Sequence, residues 1–274
     1  MAGTVSVIHM TGRRYGSVSS SLAVPALLLM LYLVIPVVYL FFTLPWRDVP
    51  GQLADPQAIG ALITSLLSAT LATVLIALFG VPLGYLLARK EFPARGLLTL
   101  LVYLPLVFPP VVSGILLLLL YGPYGLIGTP FASAGLELDS SFAGVVLAQI
   151  FVASPFVIIA ARSAFEAVDP ALEQVAATLG KGSLAIFWQV NLPVARAGIL
   201  AGLLLGWLRA LGEFGATVVM AYHPYTLPVY LYVQLSGTGV DAALPLVLLT
   251  LAVSFIGVGL VLWFQHAGRQ REGQ

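Results

Sequence analysis

Arg162–Pro193 reads RSAFEAVDPALEQVAATLGKGSLAIFWQVNLP, a polar interruption between two long apolar runs. Asp169 followed by Pro170 makes a helix start: an acid at the N-cap accepts orphan backbone N–H groups, and proline suits the first helical position. Leu172, Val175, Ala176 and Leu179 recur at i, i+3, i+4 and i+7, giving one apolar stripe. Gly180 is placed to end that helix in the left-handed conformation. Ser183 is expected to cap a second short helix carrying Ile186, Phe187, Trp188 and Val190, which Pro193 should stop. Lys181 is the only basic residue between Arg162 and Arg196. A helix pair lying on lipid would present a basic face, so this pair reads as one that docks into a protein groove.

On either side of this loop the chain is apolar. Of 274 residues, 60% are hydrophobic and 8% charged, whereas a soluble domain carries about 25% charged residues. Mean hydropathy is +1.03. So little charge cannot cover a water-exposed globule, and the chain reads as an all-α integral membrane protein. Six runs are long enough to cross roughly 30 Å of hydrocarbon: Ser21–Thr43, Ile59–Ala88, Gly96–Tyr121, Phe142–Ala161, Val194–Ala221 and Ala243–Phe264. The organisation expected is an N-terminal segment 1–20, a first helix with its outer loop 21–58, a membrane core 59–264 containing the loop 162–193, and a tail 265–274.

Basic residues orient the bundle. With the N-terminus inside, Arg13, Arg14, Arg89, Lys90, Arg95, Arg162, Lys181, Arg196, Arg269 and Arg271 gather on the cytoplasmic side, and Arg47 alone lies in an outer loop. That asymmetry predicts both termini in the cytoplasm. Arg13-Arg14 before an apolar run also resembles a secretion signal. The run Leu22–Phe42 is too long for an h-region, however, and lacks a small-residue cleavage site, so a retained first helix is expected. There are no cysteines, and His9, His223 and His266 are far apart, which argues against thiolate, disulfide and metal chemistry. The near-neutral net charge of +1 gives no reason to expect a nucleic-acid partner.

Within the spans, Pro36 and Pro82 read as kinks. Pro105-Leu106-Val107-Phe108-Pro109-Pro110 is different, because three prolines in six residues should leave carbonyls unpaired at mid-membrane and so mark a pore or gate. Arg209 and Glu213 are four apart, expected on one face of the fifth helix and two to three turns from either end. A charge at the bilayer centre costs on the order of 2.5–3.5 kcal/mol, so each needs a partner or water. Two readings follow: a mutual ion pair that organises packing or a gate, or an anion path lined by Arg209 with Glu213 holding its guanidinium. Gly198, Gly202 and Gly206 form a stripe that lets another backbone approach, either within the chain or across a dimer.

The loop resembles the EAA loop of binding-protein-dependent ABC importer permeases: Gln174-Val175-Ala176, three residues, Gly180, nine residues, Val190, one residue, Leu192-Pro193. Gln174 stands where the family has Glu, and Val175 where it has the first Ala. Neighbouring Glu173 is about 100° away around a helix and is no equivalent. The resemblance covers roughly residues 60–264 and implies the type I ABC importer permease (MetI-like) fold with six transmembrane helices. It also implies that Leu172, Gln174, Val175, Ala176, Leu179, Gly180, Val190, Leu192 and Pro193 form a coupling element seated on a separate ATPase. Arg209-Ala210-Leu211-Gly212-Glu213-Phe214-Gly215-Ala216-Thr217 is similar to the signature of permeases for molybdate, tungstate and sulfate. Leu104–Gly114 with Gly125–Gly128 resembles the molybdate and tungstate members more than the sulfate ones, and Ala221-Tyr222-His223-Pro224 with Leu227–Tyr232 is similar to the archaeal-type tungstate/molybdate permeases.

What this implies is a permease subunit of the prokaryotic inner membrane, forming a homodimer with two cytoplasmic ATPase subunits that hold ATP and magnesium. This chain itself would hold no cofactor. An external oxyanion-binding protein would dock on Trp46–Ala58, Gly122–Ser141 and Tyr222–Ala242. The path or gate would use Pro109, Pro110, Ser113, Arg209, Glu213, Phe214 and Thr217. Sulfate or thiosulfate is the second substrate class. A secondary transporter or channel working alone is the rival from another class, but Glu213 is the only acid deep within a span. An intramembrane enzyme fits poorly, because the chain contains no Gly-x-Ser-x-Gly, His-Glu-x-x-His or phosphate-cradling motif.

Overall fold

A computed structural model describes the backbone of residues 20–272 and the side chains of residues 23–259. The N-terminal segment with His9, Arg13 and Arg14 lies outside the described residues, as do the side chains of His266, Arg269 and Arg271. The described chain is helical throughout and forms two units, residues 1–44 and 45–274. The first unit contributes α1, Ser20–Thr43, a continuous helix with Pro25 and Pro36 inside it.

The second unit holds the remaining helices. After the short α2 (Val49–Leu53) comes α3 (Pro56–Arg89), 34 residues long and hence about 50 Å at 1.5 Å per residue. It starts where the Asp55 carboxylate accepts the Gln57 N–H at 3.2 Å, with Pro56 as the first helical residue. At its other end the Arg95 guanidinium donates to the Leu87 carbonyl at 3.1 and 2.8 Å, satisfying a carbonyl that the terminating helix leaves free.

The third apolar run is not one straight span, as Gly96–Tyr121 implied. It divides into α4 (Arg95–Val107) and α5 (Pro110–Tyr121), bent by 116°. Pro109 and Pro110 have no N–H for the carbonyls of Pro105 and Leu106, and each proline drives the residue before it out of the helical region. Phe108 and Pro109 accordingly sit at ψ 134° and 135°. Beyond α6 (Gly128–Ser133), α7 (Phe142–Glu166) is unbroken and begins where Ser141 Oγ accepts the Gly144 N–H at 3.2 Å.

The polar loop then forms α8 (Pro170–Thr178) and α9 (Ser183–Ile186), followed by a π turn over Phe187–Asn191 that runs straight into α10 (Leu192–Leu211). Two expectations are corrected here. Gly182 rather than Ser183 is the N-cap of α9, and no side chain bonds into its first turn. Nor does Pro193 stop the helix: the Leu192 N–H bonds to Phe187 O, five residues back. The wide π turn accommodates a proline that an α-helical ladder would exclude. The fifth span is also broken, ending at Leu211 and resuming as α11 (Gly215–Met220). The last helices are α12 (Leu227–Gly237) and α13 (Val240–Glu272), the latter running through most of the segment expected as a tail.

The core is the packing of α3, α7 and α10. A methyl group on Gly198 would lie 2.7 Å from Ala164 Cβ and one on Gly206 2.5 Å from Val157 Cγ2, while Gly202 abuts Ala160. The glycine stripe is therefore filled within the chain by α7. On the adjoining face of α7, a methyl on Gly84 would meet Ala161 and the Arg162 backbone at 2.9–3.0 Å. Below this seam Tyr85 stacks edge-on against Phe165 and Phe187, with centroids 5.1 and 4.8 Å away.

Candidate functional site

The loop element is a short helix with both ends satisfied. Asp169 Oδ1 accepts the Ala171 N–H at 2.9 Å. Gly180 adopts φ 80°, and the N–H groups of Gly180 and Lys181 bond to Ala177 O and Ala176 O at 3.0 and 3.1 Å. That pairing is a Schellman closure, which a side chain at the left-handed position would strain. The apolar stripe divides on folding. Ala176 is buried, whereas Leu172, Val175 and Leu179 are 45%, 59% and 76% exposed. Gln174 and Gly180 are exposed beside them, as are Leu184 and Trp188. Val190 and Leu192 are half-buried in the continuous helix, and Pro193 is exposed. The inward side is tied by charge: Arg89, the last residue of α3, pairs through Nε with Glu173 Oε1 at 2.8 Å and donates from Nη2 to Val168 O at 2.5 Å. Sequence reading missed this pair, since 84 positions separate the partners.

The second element is where the two broken spans meet. α5 packs on α11 so closely that a methyl on Gly215 would fall 2.6 Å from Pro110 Cβ, and one on Gly114 2.8 Å from Ala216 O. Around this contact Leu117, Ala148, Val152, Ala216 and Met220 are buried together. Arg209 and Glu213 do not share an uninterrupted helix, as their spacing implied. Arg209 lies in the last turn of α10, and Glu213 lies in the break. Their ion pair forms nonetheless, Nη1 to Oε2 at 2.6 Å, while Glu213 Oε1 accepts the Ala216 N–H at 2.7 Å. One carboxylate thus closes α10 and opens α11. Glu213 is buried, Arg209 and Phe214 are half-buried, and Phe214 lies against Tyr232 with centroids 5.0 Å apart.

Ser113 and Thr217, from the two sides of this contact, are fully buried, and neither hydroxyl has a partner among the described residues. Pro109 and Pro110 are exposed at the bend. Gln149 of α7, which sequence reading passed over, is also fully buried with Nε2 and Oε1 unpartnered. The antiparallel pairings Gly198/Ala164, Gly202/Ala160, Gly206/Val157 and Gly144/Ala221 keep a nearly constant register. They put Gln149 level with the break at Glu213–Phe214.

At the end of α3 away from the loop, segments far apart in the chain are joined. Tyr230 donates to Asp55 Oδ2 at 2.5 Å and accepts from Gln234 Nε2 at 2.8 Å, while Ser65 Oγ accepts the Leu227 N–H at 2.7 Å. The Tyr230 hydroxyl, then the Gln57 N–H, hold the Asp55 carboxyl below its ordinary 3.8. Burial, then the same hydrogen bond, pushes Tyr230 above 10.0. No group of three or more His, Cys, Asp or Glu residues able to hold a metal occurs among the described residues.

Such an arrangement, with apolar helices broken where they touch and a polar helical loop beyond them, is that of a polytopic membrane protein. The chain belongs to the family of binding-protein-dependent transport system inner membrane components, whose model matches residues 80–270. It is 43% identical over 233 residues to a probable molybdenum ABC transporter permease protein of Haloferax volcanii, covering 85% of each chain. It is 36% identical to a molybdate/tungstate transport system permease protein of Pyrococcus abyssi, over 85% of this chain and 90% of the relative. Among solved structures, it resembles a bacterial ABC transporter that imports the acidic polysaccharide alginate, with TM-score 0.67 and 21% identity over 92% of this chain and 94% of that one. It also resembles the methionine ABC transporter in an inward-facing conformation, with TM-score 0.57 and 17% identity over 79% and 96%. The fold is that of the type I ABC importer permeases.

Proposed function

We propose that this chain is the permease subunit of an ATP-driven importer of molybdate or tungstate. It works as a homodimer with two copies of a separate cytoplasmic ATPase and an external oxyanion-binding protein. The observation that carries the reading is the outward apolar face of α8: Leu172, Val175 and Leu179 are exposed on a helix whose ends are both capped. A preformed helix with greasy side chains facing out of the protein is a docking knob. Orientation is supported by geometry as well as charge. Arg89, Lys90, Arg95, Arg162 and Lys181 gather at the loop end, through the Arg89–Glu173 and Arg95–Leu87 contacts and the α7–α8 connection.

On this reading, closure of the ATPase dimer pushes on α8. The close-packed α7–α10 seam moves as a block, and the seam between α5 and α11 is where the bundle can part. Pro109 and Pro110 make the bend on one side, and Glu213 holds the break on the other by binding Arg209 and the Ala216 N–H. Ser113 and Thr217 would offer neutral hydroxyls to a passing dianion, a lining that lets it leave as readily as it enters. Arg209 stays neutralised by Glu213 instead of trapping the anion.

Cysteine placed at Leu179 should cross-link to the companion ATPase in the assembled transporter, and removing Pro170–Gly180 should abolish stimulated ATP hydrolysis while membrane insertion persists. A loop reachable only from outside the cell would sink the reading. Competition among molybdate, tungstate and sulfate for uptake assigns the substrate, and preferential block by sulfate would exclude the first two.

A further inference from the structure

We infer that Arg89 and Glu173 form a strut through which the loop drives α3 directly, in addition to the two helices that flank the loop in sequence. The inference rests on α8 being the ATPase-docking element. Chain connectivity joins α8 to α7 through Ala167–Asp169, and to α10 through α9 and the π turn. Nothing in that connectivity reaches α3, whose last residue is 84 positions from Glu173.

The ion pair closes the gap. One guanidinium spans both sides of the junction, with Nε on Glu173 in α8 and Nη2 on the Val168 carbonyl just before it. The side chains are only 13% and 24% exposed, so water screens the pair less than an open surface bridge. Glu173 therefore faces inward while its exposed neighbour Gln174 faces out. The acid of the loop holds the knob to the bundle, and the outward position carries no charge. A second link lies nearby, where Asn191 Nδ2 in the π turn donates to Tyr85 Oη on α3 at 3.3 Å. α3 in turn packs along both α7 and α10, so a push delivered to it moves the whole core as one block. Without the strut, α8 would pivot on its two connections, and part of each stroke would go into bending the loop.

The test uses the full transporter, with ATPase and binding protein, in vesicles supplied with tungstate. It compares Arg89→Gln, Glu173→Gln, Arg89→Glu, Glu173→Arg and the double variant with the two charges exchanged. Docking is read separately from the Leu179→Cys cross-link. The expected result is that the single variants keep the cross-link and still hydrolyse ATP, but move about fivefold less tungstate per ATP, a loss in the ordinary range of site-to-site coupling. The exchanged pair should regain at least about half of that loss, as interacting partners do in a double-mutant cycle. Unchanged tungstate per ATP in the single variants overturns the inference, and so does an exchanged pair no better than either reversal. Single variants that lose the cross-link would make Glu173 an ATPase contact instead, which also overturns it. No cross-link in the otherwise unaltered protein would defeat the docking reading, and the strut with it.

Discussion

Two helix contacts in this molecule use the same device to opposite ends. Between α7 and α10, glycines at every fourth position bring unbroken helices together along three successive turns, against Ala164, Ala160 and Val157. Between α5 and α11, Gly114 and Gly215 bring together two short pieces of broken helices. The first contact has no interruption along which to yield, since displacing one turn displaces all of them. The second ends at a break on each side, at Phe108–Pro109 and at Gly212–Phe214, and in the fifth span the Glu213 carboxylate links Arg209 of α10 to the Ala216 N–H of α11. On the proposed transport cycle, small residues therefore make both a rigid seam and a separable one, and the continuity of the helices behind them decides which.

Substitutions can break this contrast. Gly202→Leu should have the largest effect, because it forces a side chain into Ala160 along the continuous seam. The loss should be at least about 3 kcal/mol, read as failure to accumulate in the membrane and a collapsed melting transition in detergent. A well-accumulated Gly202→Leu protein would show that the seam is not rigid. Glu213→Leu comes next: it leaves Arg209 without its partner and the Ala216 N–H without its acceptor, at about 3 kcal/mol. Glu213→Gln, which keeps an acceptor oxygen, should fall between it and wild type in thermal stability. If the leucine and glutamine variants melt alike, the carboxylate is not what joins α10 to α11.

Gly215→Ala sharpens the contrast. The added methyl meets Pro110, and pushing the short pieces apart should cost only about 1–2 kcal/mol. The protein should fold but leak or turn over anion differently, whereas Gly206→Ala on the rigid seam should alter stability without altering the transport cycle. The smallest effect belongs to Tyr230→Phe, which removes the tie between α12 and the start of α3 at about 0.5–1 kcal/mol. Because the Asp55 carboxyl is held below 3.8 in the folded protein, this stabilisation is present above that pH and fades as pH falls through the lowered folded value. The difference in melting temperature between wild type and Tyr230→Phe should accordingly persist near neutrality and shrink on strong acidification. A difference that grew with acid would reverse the sign of the argument.

How much of this could be seen in advance depended on whether the signal was local. α8 was legible at both ends, because Asp169-Pro170 and Gly180 act within one turn of themselves. The bend at Phe108–Pro109 was legible as a proline cluster, though not as a division into two helices 116° apart. The break at Gly212–Phe214 was hidden, since the apolar run continues through it and Arg209 and Glu213 keep helical spacing on paper. Ser183 and Pro193 misled for a related reason: local rules predict a cap and a stop, and a π turn packed against Tyr85 and Phe165 carries the helix through. The apolar stripe of α8 was visible in composition, but burial divides it, turning Ala176 inward and Leu172, Val175 and Leu179 outward.

Membrane residence, the succession of apolar runs, the loop between the fourth and fifth and the caps of α8 are properties of short windows of chain. Hydropathy and capping act over a few residues, and such windows contain everything needed to specify them. Tertiary packing alone decided that the glycine stripe meets α7, that α5 and α11 touch at their broken ends, and that Arg89 reaches Glu173 rather than water. These outcomes depend on which surfaces lie within a few ångströms of each other once all the helices are assembled, and no stretch of sequence carries that information by itself.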